Sequence, residues 1–597
     1  MNDTTAIAQE REEIIQRSNE FPINFEVGTP FGVSERTTII EDTGETKGPI
    51  SPEETLSELL SLSDLAPMMG RFIDDQLERW STILRKMPNN HHILNNIGMA
   101  YLSKGDIGIA TMYFTKALEV KKDFRPSRTN IAKAYIMQGK FDEALAIYSD
   151  DEKRWPKDSS ILMNIAHVYL DQGKLDAAKD MLDRILSFDS DNAAAYHNRG
   201  TILVINRKLS EAMADFRKAL SINVRSTATY NALGICYMLQ KNYQRAIKYF
   251  TISLNIDKFK VATLRNLATA YQSTGDFAKA ADLMEKHLLT HSMDADARSI
   301  AAFSYLKMKD YRRTLQHLEY LRQNWQQLLL DETERARILN NIGVTRAYMQ
   351  KFVQAIEMYQ RSIEMCIEPN MVIPYSNLIK LYLTQGRLKD AEALIDEYIS
   401  REPSDYLPLI ILAAYYYDHD DYVRSQELLA MVLKNDEENM DALILLSCIY
   451  SEAFEDLDRA LDLSKRAYEL QPSKRIAANN LAYAYLRKGH LREAKDILYR
   501  MQWQKDYFFA YATKGLLRVT EGNVREGTRL YDEAEKLAKK TEWKRLVRQK
   551  KHIELGRYYL TIGEKDKAER QLKRALSVNT TQQVYKCQAQ RLLAKVC

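Results

Sequence analysis

Several features of secreted, metal-binding and disulfide-linked proteins are missing from this chain of 597 residues. It contains only five cysteines, an odd number, and they are widely scattered: Cys236, Cys366, Cys448, Cys587 and Cys597. This distribution excludes a disulfide framework and a cysteine metal site, because both need cysteines at paired spacings. Cys236 and Cys448 instead stand within helical patterns, as small core residues do. We therefore expect a protein of a reducing compartment, the cytoplasm.

Long apolar runs are also missing. No stretch approaches the roughly 20 residues that a membrane-spanning helix needs. The first residues, MNDTTAIAQEREEIIQRS, include acids and lack the apolar core of a signal peptide. With 28% charged residues, 45% hydrophobic residues and a net charge of +4, the composition predicts an ordinary soluble protein without a strong overall preference for polyanions.

Patterns of catalytic and cofactor sites are missing as well. No glycine-rich phosphate loop follows a strand, and no Ser/His/Asp or Cys/His grouping has a suitable spacing. His91 and His92 have no carboxylate or cysteine at ligand spacing, and the other helical histidines stand singly. We predict no catalytic residue, no metal and no cofactor, and hence no enzyme.

What the chain does contain is a small residue at every 34th position through its first half: Gly98, Ala132, Ala166, Gly200, Gly234, Ala268 and Ala302. A tyrosine or leucine follows three residues after each of them. An alanine follows twelve residues after each, with Thr314 as the exception. A fixed period of this length indicates stacked units, none of which can bury its apolar face alone. Such a stack offers an extended surface rather than a compact catalytic pocket.

Each unit has the pattern of two amphipathic helices joined by a short turn. A glycine recurs at that turn, where a left-handed backbone is easiest for glycine: Gly105, Gly139, Gly173, Gly275, Gly386, Gly489 and Gly563. The small residue and the alanine mark the close approach of the two helices. Bulky residues of the second helix are expected to fill the space beside them: Phe114, Tyr148, Phe216 and Phe250.

This pattern resembles the tetratricopeptide repeat. Beyond residue 302 the small positions continue with slips at Gly343, Ile379, Ala413, Ser447, Ala482, Gly515 and Gly556. Two steps of about 41 residues indicate lengthened helices. The resemblance implies an all-α fold, an α-solenoid in which about fourteen helix-turn-helix units form a right-handed superhelix.

The same spacing divides the chain into five regions. Residues 1–50 are expected to form an acidic, flexible tail without helical period, and residues 51–90 contain a capping helix. The regular 34-residue array covers 91–325, and an array with register slips covers 326–500. Residues 501–597 hold divergent repeats, a lengthened basic helix and a terminal cap helix.

Asparagine recurs two residues before the small position, and the resemblance places this position on the inner, concave face. A side-chain amide both donates and accepts, so a ladder of amides suits the backbone of an extended peptide. The alternative is a consensus residue that bonds the neighbouring repeat. The predicted peptide-binding residues are Asn96, Asn130, Asn164, Asn198, Asn266, Asn341 and Asn377.

Farther along, the corresponding positions become apolar. If exposed, such a surface would mark a partner site, and the alternative is that curvature or another part of the chain covers it. The predicted apolar partner groove consists of Ile410, Ile411, Tyr417, Ile444 and Leu445.

Charge is distributed unevenly along the chain. Residues 536–574 contain fourteen bases and five acids, and one basic helix could follow phosphates, although such a run is more often a solvated face. The possible polyanion contacts are Lys540, Lys544, Arg545, Arg548 and Lys551.

Residues 1–60 contain thirteen acids and four bases, and their alternating Phe21, Ile23, Phe25 and Val27 could dock into the apolar groove of the same chain or of a second copy. A purely solubilising tail is the alternative.

These observations favour a non-enzymatic scaffold that binds an extended or helical segment of another protein. Two alternatives stay open. One is a nucleic-acid-associated regulator that uses the basic end. The other is the recognition subunit of an enzyme or secretion complex whose catalytic chain is separate.

Overall fold

The computed structural model describes residues 66–596, except residue 259 and the segments 366–371, 502–506 and 581–582. These residues fall into two compact units, one reaching His317 and the other starting at Leu318. The predicted acidic tail at 1–50 lies outside the described residues. So do residues 51–65 of the capping region, Cys366 and Cys597.

The first unit consists of a leading helix followed by helix-turn-helix pairs. Its helices are α1 (Ala66–Lys86), α2 (His91–Ser103), α3 (Ile107–Val120), α4 (Arg125–Met137), α5 (Phe141–Arg154), α6 (Ser159–Asp171), α7 (Leu175–Phe188), α8 (Ala193–Ile205), α9 (Leu209–Ile222), α10 (Thr227–Leu239), α11 (Tyr243–Ile256), α12 (Val261–Ser273), α13 (Phe277–Leu288), α14 (Ala295–Lys307) and α15 (Tyr311–Asn324), the last of which runs beyond His317.

The second unit continues the same pairing. Its helices are α16 (Glu332–Tyr348), α17 (Phe352–Met365), α18 (Val372–Thr384), α19 (Leu388–Arg401), α20 (Leu407–Asp418), α21 (Tyr422–Asn435), α22 (Met440–Cys448), α23 (Leu457–Leu470), α24 (Arg475–Lys488), α25 (Leu491–Arg500), α26 (Phe508–Thr520), α27 (Val524–Leu537), α28 (Thr541–Thr561), α29 (Lys565–Ser577) and α30 (Gln583–Leu593). A π-helical segment, Ile449–Ala453, follows α22 directly.

The described residues therefore contain helices and no strand, and the predicted all-α solenoid of repeats is confirmed. The two longer steps in the repeat correspond to long first helices. Helix α16 has 17 residues and α28 has 21, whereas α2 has 13.

Many first helices begin at a side-chain cap. Asn90 accepts hydrogen bonds from the backbone N–H groups of His92 and Ile93, and Asp331 forms a capping box with Glu334. Such caps satisfy N–H groups that have no partner within the helix. Equivalent caps are Asp158, Asn192, Ser226, Asp294 and Asn439.

The turn within each pair needs a left-handed backbone. All seven predicted turn glycines have positive φ, between 68° and 82°, which confirms that prediction. Where a pair lacks the glycine, another residue takes the same conformation: Arg207, Lys241, Lys309, Gln350 and Asp420.

Within a pair, the small residue of the first helix packs directly against a side chain sixteen residues later. A Cβ atom on Gly98 would lie 2.5 Å from Cε1 of Phe114, and one on Gly200 would lie 2.7 Å from Cε1 of Phe216. Both rings are fully buried. The missing Cβ therefore allows each ring to lie against the first helix.

The two positions vary together in several pairs. The ring opposite glycine is phenylalanine in the pairs of Gly98, Gly200 and Gly234. Opposite Ala166 and Ala268 the buried side chain is Leu182 or Met284, neither of which has a ring, whereas Ala132 has the buried Tyr148 sixteen residues later. In the pairs of Ala166 and Ala268, the extra carbon on the first helix is thus matched by a more flexible side chain on the second.

We predict that Gly98→Ala lowers the stability of the first unit. Overpacking against Phe114 costs about 1–3 kcal/mol, whereas better helix propensity returns only about 1 kcal/mol. Thermal and urea unfolding, followed by circular dichroism, measure the change. Adding Phe114→Leu, which reproduces the Ala166–Leu182 combination, should recover part of the loss.

Gly108 provides the control for this substitution. It lies in α3, and a Cβ atom there would meet nothing within 4 Å. Gly108→Ala should therefore stabilise the protein by about 0.5–1 kcal/mol. Equal effects of the two alanines would contradict the packing explanation.

Candidate functional site

Most asparagines of the predicted ladder in the first unit are buried between neighbouring first helices. The Asn130 amide of α4 donates to Asn95 Oδ1 of α2 at 3.0 Å, and the Asn266 amide of α12 donates to Asn231 Oδ1 of α10 at 3.0 Å. Asn198 of α8 donates to Met163 Sδ of α6 at 3.2 Å. In each case the acceptor is the residue three positions before the small residue of the preceding pair.

The second unit repeats this arrangement. The Asn377 amide of α18 donates to Asn340 Oδ1 of α16 at 2.8 Å, and Asn340 in turn donates to Asn341 at 3.3 Å. Asn480 of α24 contacts Cys448 Sγ of α22 at 3.5 Å. All of these asparagines are buried. The side-chain nitrogen atoms of five of them contact the preceding repeat, which corresponds to the alternative role of a consensus residue: Asn130, Asn198, Asn266, Asn377 and Asn480. Asn341 accepts its hydrogen bond from Asn340 of the same helix.

Asn96 and Asn164 differ from the others. Each is only half-buried, and neither side chain makes a hydrogen bond to any part of the chain that the structure describes. Met99, which is 41% exposed, lies one helical turn after Asn96 on α2. Met137 of α4 and Ile205 of α8 are exposed at the same helical face of their repeats, seven residues after the ladder position. Amides and flexible apolar side chains therefore share one face of the first helices.

The predicted apolar partner groove is not an exposed surface. Ile410, Ile411, Tyr417, Ile444 and Leu445 are all buried, with at most 3% of any of them exposed. The reason is that α20 and α22 are apolar on nearly every side and packed on every side, as helices without a polar face must be. These residues are therefore covered, as in the alternative given above, and they do not form an open partner surface.

The predicted polyanion contacts lie on or next to α28. Lys544 and Arg545 are exposed, and Lys540 lies 5.0 Å from the ring centroid of Trp543. Arg548 pairs with Glu535 of α27, and Lys551 pairs with Asp532 of the same helix at 2.7 Å. Two of the five bases are therefore already neutralised by acids, and polyanion binding stays a prediction.

A buried ion pair in the second unit was not predicted. Lys550 Nζ of α28 lies 2.7 Å from both carboxylate oxygens of Glu452, in the π-helical segment, and both side chains are fully buried. Gln588 of α30 donates to the carboxylate and to the backbone carbonyl of Glu452, each at 2.8 Å. The one feature of the sequence that could have indicated this pair is the position of Lys550, a lysine on the apolar face of the helix between Leu546 and Ile553.

The electrostatic surroundings favour the charged carboxylate. Burial by itself would raise the pKa of Glu452. The Lys550 ammonium and the Arg487 guanidinium outweigh that effect, so the pKa lies below its ordinary value. Glu452 is therefore ionised at neutral pH, and its charge is matched inside the unit.

Other groups offer little chemistry. Burial raises the pKa of the Cys236 thiol to about 12, so it is protonated and unreactive at neutral pH. Among the described residues, no group of histidine, cysteine, aspartate and glutamate side chains could hold a metal ion. None of the helices in the described ranges has both the length and the apolarity to cross a bilayer.

Models of the tetratricopeptide repeat match residues 91–124, 129–193, 163–229 and 224–288, and a model of the PPR repeat matches 476–505. No curated protein sequence gives a significant match.

Solved structures of helical repeats are similar to this chain. Yeast Tom70 is 16% identical over 82% of this chain and 98% of that chain, with a TM-score of 0.37. The APC/C hetero-tetramer Cut9–Hcn1 is 15% identical over 79% of this chain and 90% of that chain, with a TM-score of 0.36. At these values the similarity concerns repeat architecture alone.

We predict that two pairs of asparagines differ in their effect on stability. Changing Asn130 and Asn198 to Ala removes two buried contacts and should destabilise the first unit by about 1–3 kcal/mol. Changing Asn96 and Asn164 to Ala removes no contact within the described chain and should leave the protein at least as stable. Both double variants gain the same helix propensity, so the difference in urea unfolding reports the contacts alone. Equal destabilisation would contradict the assignment.

Proposed function

We propose that this chain, a tetratricopeptide-repeat protein, is a non-enzymatic scaffold that binds an extended or helical segment of a partner protein along its first helices. The observation that carries the proposal is the half-buried state of Asn96 and Asn164. Their amides have both donors and acceptors to offer, whereas the nitrogens of Asn130, Asn198, Asn266 and Asn377 are engaged between repeats.

Apolar contact supplies the rest of the proposed binding energy. The side-chain amides of Asn96 and Asn164 contribute only about 1–3 kcal/mol together to the binding free energy. The loss of conformational entropy on ordering a peptide opposes binding. Met99, Met137 and Ile205 lie on the same helical face and are 40–56% exposed. Methionine adapts its shape to different partners, so this surface suits a segment whose apolar residues are spaced along an extended or helical chain.

The scaffold proposal is favoured over a polyanion-binding function. Arg548 and Lys551 are paired with acids of α27, which leaves few free charges on α28. A recognition subunit of a larger enzyme or secretion complex would use the same surface and remains compatible with the scaffold. We place the protein in the cytoplasm, because Cys236, Cys448 and Cys587 are free thiols.

We predict that Asn96→Ala together with Asn164→Ala weakens partner binding by about 5- to 150-fold, which corresponds to about 1–3 kcal/mol, without loss of stability. Partners retained on the wild-type protein are identified by mass spectrometry, and the affinity of a purified partner is measured by calorimetry. Asn435→Ala, an exposed asparagine at the end of α21, serves as the control. If a partner binds the double variant as tightly as it binds the control, the side-chain amides of Asn96 and Asn164 do not contribute to binding and the proposal is contradicted.

A second prediction locates the surface directly. A photo-cross-linking residue at position 99, on first helix α2, should capture the partner. The same residue at position 112, on second helix α3, should not. Met99 and Met112 are matched in type and in exposure, 41% and 44%. Capture from position 112 alone would place the partner on the second helices and overturn the proposed face.

A further inference from the structure

Three elements that are far apart in sequence meet inside the second unit. Glu452 precedes Lys550 by 98 residues and Gln588 by 136 residues, yet both contact it. Stacked repeats need contacts only between neighbours. These contacts therefore exceed what stacking requires and tie the last helices, α28 and α30, back to the π-helical segment.

The contact lies over the polar face of an earlier first helix. Lys550 Nζ is 4.2 Å from the ring centroid of Tyr585 in α30 and 5.6 Å from that of Tyr483 in α24. Tyr483 is one helical turn after Asn480, so α28 lies over the face of α24 that carries the ladder position. Near the surface, Arg591 of α30 and Glu455, two residues after the π-helical segment, form an additional ion pair at 3.7 Å.

The closed arrangement leaves polar groups unsatisfied. Five buried atoms on these elements and on α27 have no hydrogen-bond partner among the described residues: Ser451 Oγ, Tyr531 OH, Glu554 Oε1, Arg557 Nη2 and Gln588 Oε1. Asn480 Oδ1 and Asn479 Nδ2 on α24 share this state. A buried polar atom without a partner disfavours the closed state, and a buried ion pair adds little net stability. A π-helical segment often marks a functional site within an α-helix.

We propose that α28, α29 and α30 form a latch that closes on the π-helical segment through Glu452, Lys550 and Gln588 and controls access to the first-helix face of the second unit. This inference rests on the proposed function, because it regulates the same kind of peptide-binding face. Release of the latch exposes a donor and an acceptor that have no partner in the closed state, Asn479 Nδ2 and Asn480 Oδ1. The matching ligand is an extended polypeptide segment that offers its own backbone N–H and C=O groups.

Hydrogen exchange followed by mass spectrometry tests the latch on the full chain without any partner. Lys550→Met leaves the buried Glu452 charge unpaired, so amides in 541–593 and in 449–456 should exchange at least ten-fold faster than in the wild type. Lys551→Met removes the neighbouring pair with Asp532 and should change these rates less than two-fold. Amides of α18 and α20 should be unaffected by either variant.

A second variant separates the ion pair from general packing. Combining Glu452→Leu with Lys550→Met removes both buried charges, and exchange in 541–593 should return to within about three-fold of the wild type. Equal acceleration in the single and double variants would overturn the role of the pair. Unchanged exchange in Lys550→Met, or acceleration of the whole second unit together, would overturn the latch. The scaffold function is tested separately by partner binding at Asn96 and Asn164.

Discussion

Every level of this structure depends on the close approach between the small residue of a first helix and the buried side chain sixteen positions later. In the pairs of Gly98, Gly200 and Gly234 that contact fixes how the two helices lie against each other, because a Cβ atom on the glycine would lie less than 3 Å from the ring. Rigid pairs then set the spacing of successive first helices. The result is seen in three asparagine contacts of nearly equal length, 2.8–3.0 Å, at Asn130, Asn266 and Asn377.

The fold was predictable because its determinants are local and repeated. The period of 34 residues, the turn glycines and the small-to-bulky spacing each involve residues no more than one repeat apart. The behaviour of the asparagines was not predictable from the same pattern. Asn130 and Asn164 have similar local sequences, yet only Asn130 faces an amide acceptor, Asn95, in the preceding pair. That difference depends on a residue 35 positions away, in a different helix.

The remaining errors have related causes. The apolar run around Ile410 was interpreted from the register of an inner face, but a helix that is apolar on all sides has no face left for a partner. The contact of Glu452 with Lys550 joins elements almost three repeats apart, and no periodic pattern reports contacts at that distance. The repeated sequence pattern thus predicts the individual helix pairs, whereas contacts between repeats that are not neighbours cannot be predicted from it.

The asparagine contacts of the first unit join first helices two by two: α2 with α4, α6 with α8, and α10 with α12. An asparagine hydrogen bond is therefore formed at every second interface between neighbouring first helices. Each donor asparagine has its acceptor in the preceding repeat. Loss or duplication of a single repeat would place an amide beside the wrong neighbour and leave a buried donor unsatisfied. Loss or duplication of two repeats, 68 residues, would keep an acceptor beside each of these asparagines. For these hydrogen bonds the first unit is thus built of double repeats.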